Sequence, residues 1–332
     1  MKYSSLITKR NVIIIIIIIV LILGTGVSVN AIIHYMNGQQ EKKCYENMLQ
    51  MIDMNQYSEA INCYLETYQK NVNSSRRNEG LYHYAVLMDG VENKTKEFCD
   101  LQYLQEYTEK CLRYQEVLKD NYTDSLVCIM KSIDDGREDV EKYFSFLEKL
   151  ISEADTSSQD MIDMLRKVTD PENNNAVVPY QDFIDCYDKR KSAWEDLLSQ
   201  SETFRETDEY KIVRMIVDNN YIMHKQDEEI DDFIESMNLV FNGYMDAVNT
   251  MEAYCDSYGF VSLNTSSDEW KVMFLSQVDL STQKWKNDMT WSSMGLNGLI
   301  SSWQDEDELY NNILTDVCIK KVRKRCIEAN LF

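Results

Sequence analysis

Residues 227–255 read DEEIDDFIESMNLVFNGYMDAVNTMEAYC, in which apolar side chains recur every three or four positions. An α-helix turns once in about 3.6 residues, so this spacing lines the apolar side chains along one helix face. The face comprises Ile230, Phe233, Ile234, Met237, Phe241, Tyr244, Met245, Val248 and Met251. We therefore predict one amphipathic helix that begins near Asp227 and ends near Cys255.

The same spacing occurs in shorter segments elsewhere in the chain. These are Ile61, Tyr64, Leu65 and Tyr68; Leu101, Leu104, Tyr107, Cys111 and Leu112; and Tyr143, Phe144, Leu147, Leu150 and Ile151. Strand-like alternation is rare, and the Asp135-Gly136 pair is expected to separate two helices. The sequence predicts an all-α fold of about ten to twelve helices.

Pro171 and Pro179, the only two prolines, lie close together with a run of three asparagines between them. Such a cluster favours a loop, because proline and asparagine disfavour a helix interior. It divides the chain into a helical-hairpin domain at residues 34–170, a loop or linker at 171–180 and a long-helix domain at 181–332. A loop within one helical array would have the same composition.

The most apolar segment runs from Val12 to Ile33 and includes seven consecutive isoleucines. Its 22 residues are enough to cross a hydrocarbon core of about 30 Å as a helix. Lys2, Lys9 and Arg10 lie on its N-terminal side, so the positive-inside bias predicts a cytoplasmic N-terminus at residues 1–11. We expect a single-pass signal-anchor at 12–33, held in the lipid bilayer, with the bulk of the chain outside.

Two alternatives to this topology remain open. The charged start and the apolar segment also resemble a signal peptide, with Val29-Asn30-Ala31 as a cleavage site, in which case the protein is secreted after cleavage near Ala31. The difference in flanking charge is modest, so a cytoplasmic body is the other alternative.

The composition excludes some classes of partner. The formal net charge is −22, and leaving out Lys2, Lys9 and Arg10 gives −25 for the part after the apolar segment. An acidic surface repels nucleic acid backbones, so no nucleic acid partner is expected. The 21 tyrosines, 10 phenylalanines and 5 tryptophans exclude a wholly disordered chain.

Nine cysteines cannot all pair within one chain, so at least one thiol is left over. They contain no C-x-x-C motif and no zinc spacing, and most fit the apolar face of a helix. We expect mainly small buried hydrophobic residues rather than a disulfide framework. Cys318 and Cys326 are about 12 Å apart if one helix carries both, too far for a disulfide bond.

Residues 44–70 carry a partial resemblance to a known repeat. Gln56-Tyr57-Ser58-Glu59-Ala60-Ile61-Asn62-Cys63-Tyr64 resembles the second helix of a tetratricopeptide motif, in which aromatic and small side chains interlock two helices. The motif's usual glycines are replaced by Met48 and Asn55, and no closing proline follows. Ala85, at a small-residue position in Tyr82–Gly90, marks a possible second hairpin. The resemblance implies an array of antiparallel helical hairpins that is solenoid-like in the first half.

No catalytic or cofactor motif is present, and we expect no cofactor. H-E-x-x-H, G-x-S-x-G, Walker and G-x-G-x-x-G patterns are all missing from the sequence. His224, Asp227, Glu228 and Asp231 share one side of a helix and are weak candidates for a divalent-cation site. A solvated charged face is the simpler interpretation, so we predict no metal site.

Two segments are candidate binding surfaces. Trp285, Trp291 and Trp303 lie in a stretch rich in serine and glycine, and exposed indoles would stack on a glycan or a peptide; core packing is the alternative. Lys320, Lys321, Arg323, Lys324 and Arg325 form the only dense basic cluster after the anchor. They are expected to complement a helix dipole, to dock on acidic helices of the same chain or to contact anionic lipid or polymer.

These observations favour a membrane-anchored, extracytoplasmic helical protein that binds a protein or a glycan as a scaffold of the cell envelope. An envelope enzyme that cleaves glycan or peptide with paired carboxylates is one alternative, and a structural spacer is another. Without catalytic motifs, binding is favoured over catalysis.

Overall fold

The computed structural model describes residues 32–69, 74–169, 177–221, 225–254, 260–262, 287, 289–290 and 293–332. The described residues form an all-α protein, which confirms the predicted fold class. The helices are α1 (residues 32–53), α2 (Tyr57–Tyr68), α3 (Arg76–Asn93), α4 (Leu101–Leu112), α5 (Asp120–Thr169), α6 (Tyr180–Arg205), α7 (Asp208–Asn220), α8 (Gln226–Tyr254), α9 (293–304) and α10 (Glu308–Glu328), with a 3-10 turn at Glu97–Cys99.

Two three-residue strands are the other regular elements among these residues. β1 (Val177–Pro179) pairs antiparallel with β2 (Phe260–Ser262), with Val178 opposite Val261. Pro179 ends β1 and lies directly before α6. Proline is tolerated at a helix start because its φ suits that position and because the backbone N–H it lacks would have no partner within the helix. The predicted loop thus ends with a short strand.

The chain divides into two compact units. Unit 1 contains the described residues up to Ser132 together with Val322–Phe332, and unit 2 is Ile133–Lys321. The proline- and asparagine-rich segment at 171–180, which the sequence suggests as a boundary, lies within the range of unit 2. Helices α5 and α10 contribute residues to both units.

Unit 1 is built on the packing of α2 against α3 and of α3 against α4. Ala60 of α2 and Ala85 of α3 are completely buried, as expected for small side chains where two helices approach closely. A turn of three residues joins α1 to α2, and Asn55 within it has a φ of 58°. The Asn55 N–H donates to the Ile52 carbonyl, and the Gln56 N–H donates to the Met51 carbonyl. These two hydrogen bonds terminate α1.

Unit 2 contains the amphipathic helix α8, whose observed bounds confirm the prediction from its spacing. Helix α8 packs against α6 and α7. Phe233, Phe241 and Tyr244 of α8 are buried, as are Phe183 and Trp194 of α6. The apolar stripe therefore forms the core, as its period of 3.6 residues requires.

The expected break at Asp135-Gly136 is wrong, because α5 continues through both residues to Thr169. A Cβ at Gly136 would lie 2.9 Å from the Cα of Cys318 in α10. The glycine therefore permits close helix packing in unit 2 and does not end the helix.

Among the residues that the structure describes, none of the helices combines the length and apolarity needed to cross a bilayer. The expected anchor at 12–33 lies outside the described residues except for Ile32 and Ile33, and residues 1–11 lie outside them as well.

Candidate binding surface

The tryptophan-rich stretch is described only in part. Trp285 and Trp291 lie outside the described residues. Trp303 is half-buried, and its ring stacks on Phe144 at 5.6 Å between centroids with an interplanar angle of 22°. One face of this indole is therefore used within unit 2.

The basic cluster of α10 makes several contacts inside its own units. In unit 2, Lys321 forms an ion pair with the buried Asp139 and donates to the Asp135 carbonyl at 3.2 Å, while Lys320 is exposed. In unit 1, Arg323 donates to the Glu92 carbonyl at 3.3 Å. Lys324 is exposed, and Arg325 is half-buried with a partner of its own. Lys321 and Arg323 thus make intramolecular contacts.

The acidic metal candidates pair with basic side chains. Asp227 Oδ2 pairs with Arg214 at 2.6 Å, and its Oδ1 accepts from the Tyr210 hydroxyl at 2.7 Å. Arg205 bridges Asp227 and Asp231, and Glu228 pairs with Lys225 at 3.4 Å. His224 lies outside the described residues. Within the described ranges, no group of three or more His, Cys, Asp or Glu side chains is placed to hold a metal ion.

Unit 1 instead presents a surface that the sequence analysis did not single out. Six half-buried tyrosines and one histidine lie on α2, α3, α4 and the turn that follows α4. We call this set the tyrosine surface: Tyr64, Tyr68, Tyr82, His83, Tyr103, Tyr107 and Tyr114.

Ring contacts connect these side chains across the helices. Tyr64 of α2 stacks on Tyr82 of α3 at 4.4 Å with an interplanar angle of 19°, and its ring also lies 4.7 Å from that of Tyr68. The His83 ring lies 5.8 Å from Tyr107 of α4 and 5.5 Å from Tyr114. These distances fall in the range of favourable aromatic pairs, so the rings support one another's orientation.

Helical spacing explains why the rings face the same way. Tyr64 and Tyr68 are four residues apart in α2, and Tyr103 and Tyr107 are four apart in α4, where they stack at 5.6 Å. Residues at this spacing are neighbours on a helix surface. The buried Phe98 ring contacts the edges of both α4 tyrosines and lies where a Cβ on Gly90 would be, 2.0 Å from such an atom. The absence of a side chain at Gly90 therefore leaves room for the Phe98 ring, which contacts Tyr103 and Tyr107.

His83 supplies a polar atom between the rings. Its Nδ1 lies 3.0 Å from the Tyr107 hydroxyl. Burial, with a smaller contribution from Lys110, lowers the pKa of His83 to about 4, and burial raises the pKa of the Tyr107 phenol. Both groups are therefore neutral near pH 7, and the surface offers uncharged donors and acceptors.

Basic side chains line the edge of the tyrosine surface. Lys110 Nζ lies 5.1 Å from the Tyr107 ring centre, and the Arg76 guanidinium lies 6.0 Å from that of Tyr114. Arg76 also donates to the Arg113 carbonyl at 2.8 Å and pairs with Glu116. These cations lie over aromatic faces, which orients them beside the rings.

Unit 2 contains a cavity of about 640 Å³ between α5 and residues Met289, Thr290 and Ser293. Asp155, Ser158 and Asp160 line it, and Asp160 accepts from Arg190 Nε at 2.7 Å. Asp155 is exposed to solvent, and partial desolvation by its surroundings raises the pKa of its carboxyl group. The lining of the cavity is mixed polar and apolar, and its carboxylates are the feature closest to the predicted enzyme alternative.

Comparison with known proteins assigns this chain to no protein family. The chain matches no protein-family model, and it has no significant similarity to characterised proteins or to solved structures. The tetratricopeptide resemblance of residues 44–70 therefore stays a prediction that rests on the side chains of the first hairpin.

Proposed function

We propose that this chain is a membrane-anchored helical binding protein of the cell envelope and that the tyrosine surface binds its partner. The observation that carries the proposal is the continuous contact of half-buried tyrosine rings and the His83 ring across α2, α3 and α4. Contiguous patches of large apolar side chains that reach the protein surface often mark interaction sites.

The chemistry of the surface favours a segment of another protein as the partner. Tyrosine offers a large contact area with few rotatable bonds, and its hydroxyl pairs with backbone groups. The central His83 and Tyr107 are neutral, while Arg76 and Lys110 stand at the edge. An apolar centre with a charged rim is the usual anatomy of a protein interface.

The membrane part of the proposal rests on residues 12–33. Their length and apolarity suit a single-pass helix, and Lys2, Lys9 and Arg10 favour a cytoplasmic N-terminus. The acidic body then lies outside the cell membrane. The first hairpins, with Ala60 and Ala85 at their contacts, would form a tetratricopeptide-like array whose exposed side carries the tyrosine surface.

The test uses the full chain, cross-linked in intact cells and then purified in detergent. Wild type should recover a protein partner, and purified partner should bind at least about tenfold more weakly to Tyr82→Ser and Tyr103→Ser, because truncating a central interface ring typically costs more than 1 kcal/mol. Tyr35→Ser, which removes an exposed tyrosine of α1, is the matched control. Equal binding by all variants would refute the assignment, and recovery of a glycan would change the partner class.

The topology has its own test. Protease added to intact cells should degrade the body, while a tag at the N-terminus should stay protected. A protected body would refute the extracytoplasmic placement without affecting the tyrosine surface.

An envelope hydrolase is the second candidate, and the cavity lined by Asp155 and Asp160 favours it. A carboxyl group whose pKa is raised by partial desolvation suits a general acid. Hydrolysis of envelope glycan or peptide by wild type and its loss in Asp155→Asn would support this function, and absence of turnover would dismiss it.

A further inference from the structure

Cys44 and Cys63 bring two thiols together in the first hairpin of unit 1. Cys44 lies on α1 and is 2% exposed, while Cys63 lies on α2 and is half-buried. The Cys44 Sγ lies 4.0 Å from the Cys63 carbonyl oxygen, and the Cys63 thiol is among the groups that, after burial, raise the pKa of Cys44. The side chains thus meet across the interface of two helices that a three-residue turn connects.

The surrounding contacts hold the Cys44 sulfur atom and the backbone of Cys63 in place. Cys44 Sγ donates to the Met48 thioether at 3.6 Å, one turn further along α1. The Thr67 hydroxyl donates to the Cys63 carbonyl at 2.8 Å. Met48 and Cys44 are buried and Cys63 is half-buried, so the Cys63 side chain is the one with room to turn when the S–S bond forms.

We propose that Cys44 and Cys63 form a disulfide bond that covalently closes the α1–α2 hairpin when a thiol–disulfide oxidant is present. The two residues are 19 positions apart, and the loop between them is already folded as a hairpin. This proposal concerns a covalent modification and does not depend on the tyrosine surface.

The reaction is two successive thiol–disulfide exchanges with an external disulfide RS–SR. The more accessible Cys63 attacks first as the thiolate, forms a mixed disulfide and releases one RS⁻. Cys44 then attacks the Cys63 sulfur, forms the intramolecular bond and releases the second RS⁻. The two cysteines are oxidised, the external disulfide is reduced to two thiols, and the two protein protons end on the released thiolates.

The burial of Cys44 determines which step is slow. Burial raises the pKa of its thiol to about 11, so only a small fraction is thiolate near pH 7. The closing step should therefore accelerate about tenfold for each pH unit between pH 7 and 9, because the thiolate is the nucleophile.

The experiment treats the full chain, purified in detergent under reducing conditions, with oxidised glutathione. Remaining thiols are then alkylated, and the digested protein is mapped by mass spectrometry. The expected result is a cross-linked peptide pair that contains Cys44 and Cys63, formed at a rate that rises with pH.

Two variants provide the comparison. Cys99→Ser removes an exposed thiol that contacts the Lys94 carbonyl and should leave the cross-link unchanged. Cys63→Ser should leave Cys44 alkylated, with circular dichroism to verify the fold. Persistent glutathione on Cys63 beside a free Cys44, or a cross-link from Cys44 to another cysteine, would overturn the proposal. Because the oxidant acts on purified protein, neither outcome depends on where the protein resides in the cell.

Discussion

Replacing Lys321 with methionine should destabilise unit 2 strongly, and by an amount that depends on pH. Lys321 pairs with Asp139, whose side chain is only 5% exposed, and the lysine side chain is 15% exposed. Removing one partner of such a pair leaves a carboxylate with little access to water. Breaking buried pairs costs roughly 3–5 kcal/mol, and the residual exposure of Lys321 places the expected loss near 3 kcal/mol at pH 7.

The neighbouring charges do not replace the lost lysine. Glu209 disfavours ionisation of Asp139, and Lys142, which favours it, is bound to Glu138 at 2.6 Å. Burial already raises the pKa of Asp139, and Lys321 opposes this effect. Loss of Lys321 should therefore raise the pKa of Asp139 further.

The pH dependence of the stability loss follows from the raised pKa of Asp139. Where the folded-state pKa of a carboxyl group exceeds its unfolded value, the folded protein binds more protons, so stability decreases as the pH rises through that interval. In Lys321→Met the carboxyl group is increasingly neutral as the pH falls. The loss of stability should thus be smaller at pH 5 than at pH 7.

Tryptophan fluorescence is a selective assay, because all five tryptophans lie between residues 194 and 303 and so within the range of unit 2. Urea unfolding of the full chain in detergent gives the free energy of unfolding from this signal. Lys320→Met is the matched control, since Lys320 is exposed and should change stability by less than about 0.5 kcal/mol. Equal effects of the two substitutions, or an equal loss for Lys321→Met at pH 5 and pH 7, would refute the argument.

Three further predictions concern single positions. Gly136→Ala should cost about 1–3 kcal/mol in the tryptophan assay, because the new methyl group meets the Cα of Cys318 at 2.9 Å. Glu306→Gly should stabilise the same unit by about 1 kcal/mol, since Glu306 has a φ of 50° that disfavours a side chain. Unit 1 should lose stability as the pH falls from 6.5 to about 4, because the folded state keeps His83 neutral while the unfolded chain binds a proton. His83→Gln should remove that loss when tyrosine circular dichroism follows unfolding.

The helices were predictable from the sequence where one periodic signal dominates. The α8 segment has an apolar residue at nearly every turn, and its observed bounds lie within one residue of the predicted ones. The predicted helix break at Gly136 is wrong because one sequence cannot distinguish a glycine that ends a helix from a glycine that allows a second helix to pack closely. The difference lies in Cys318, 182 positions away along the chain.

The tyrosine surface was only partly visible before the structure. The pairs Tyr64 with Tyr68 and Tyr103 with Tyr107 stand at helical spacing, which is a detectable signal for one face. Their meeting with Tyr82 and His83 depends on tertiary contacts between α2, α3 and α4. Tryptophan is the rarer aromatic residue, so the sequence pattern favours the segment with Trp285, Trp291 and Trp303 as a binding surface.

The last eleven residues belong to the first unit, and this has a consequence for biosynthesis. The Tyr57 hydroxyl donates to the Leu331 carbonyl at 2.5 Å, a contact between residues 274 positions apart. Residues 322–332 therefore have to leave the ribosome before the N-terminal unit can be completed, even though most of that unit emerges first. A nascent chain that stalls before Val322 would leave the N-terminal helices without the contacts that residues 322–332 supply. A bulky group fused after Phe332 would disturb the packing of those N-terminal helices.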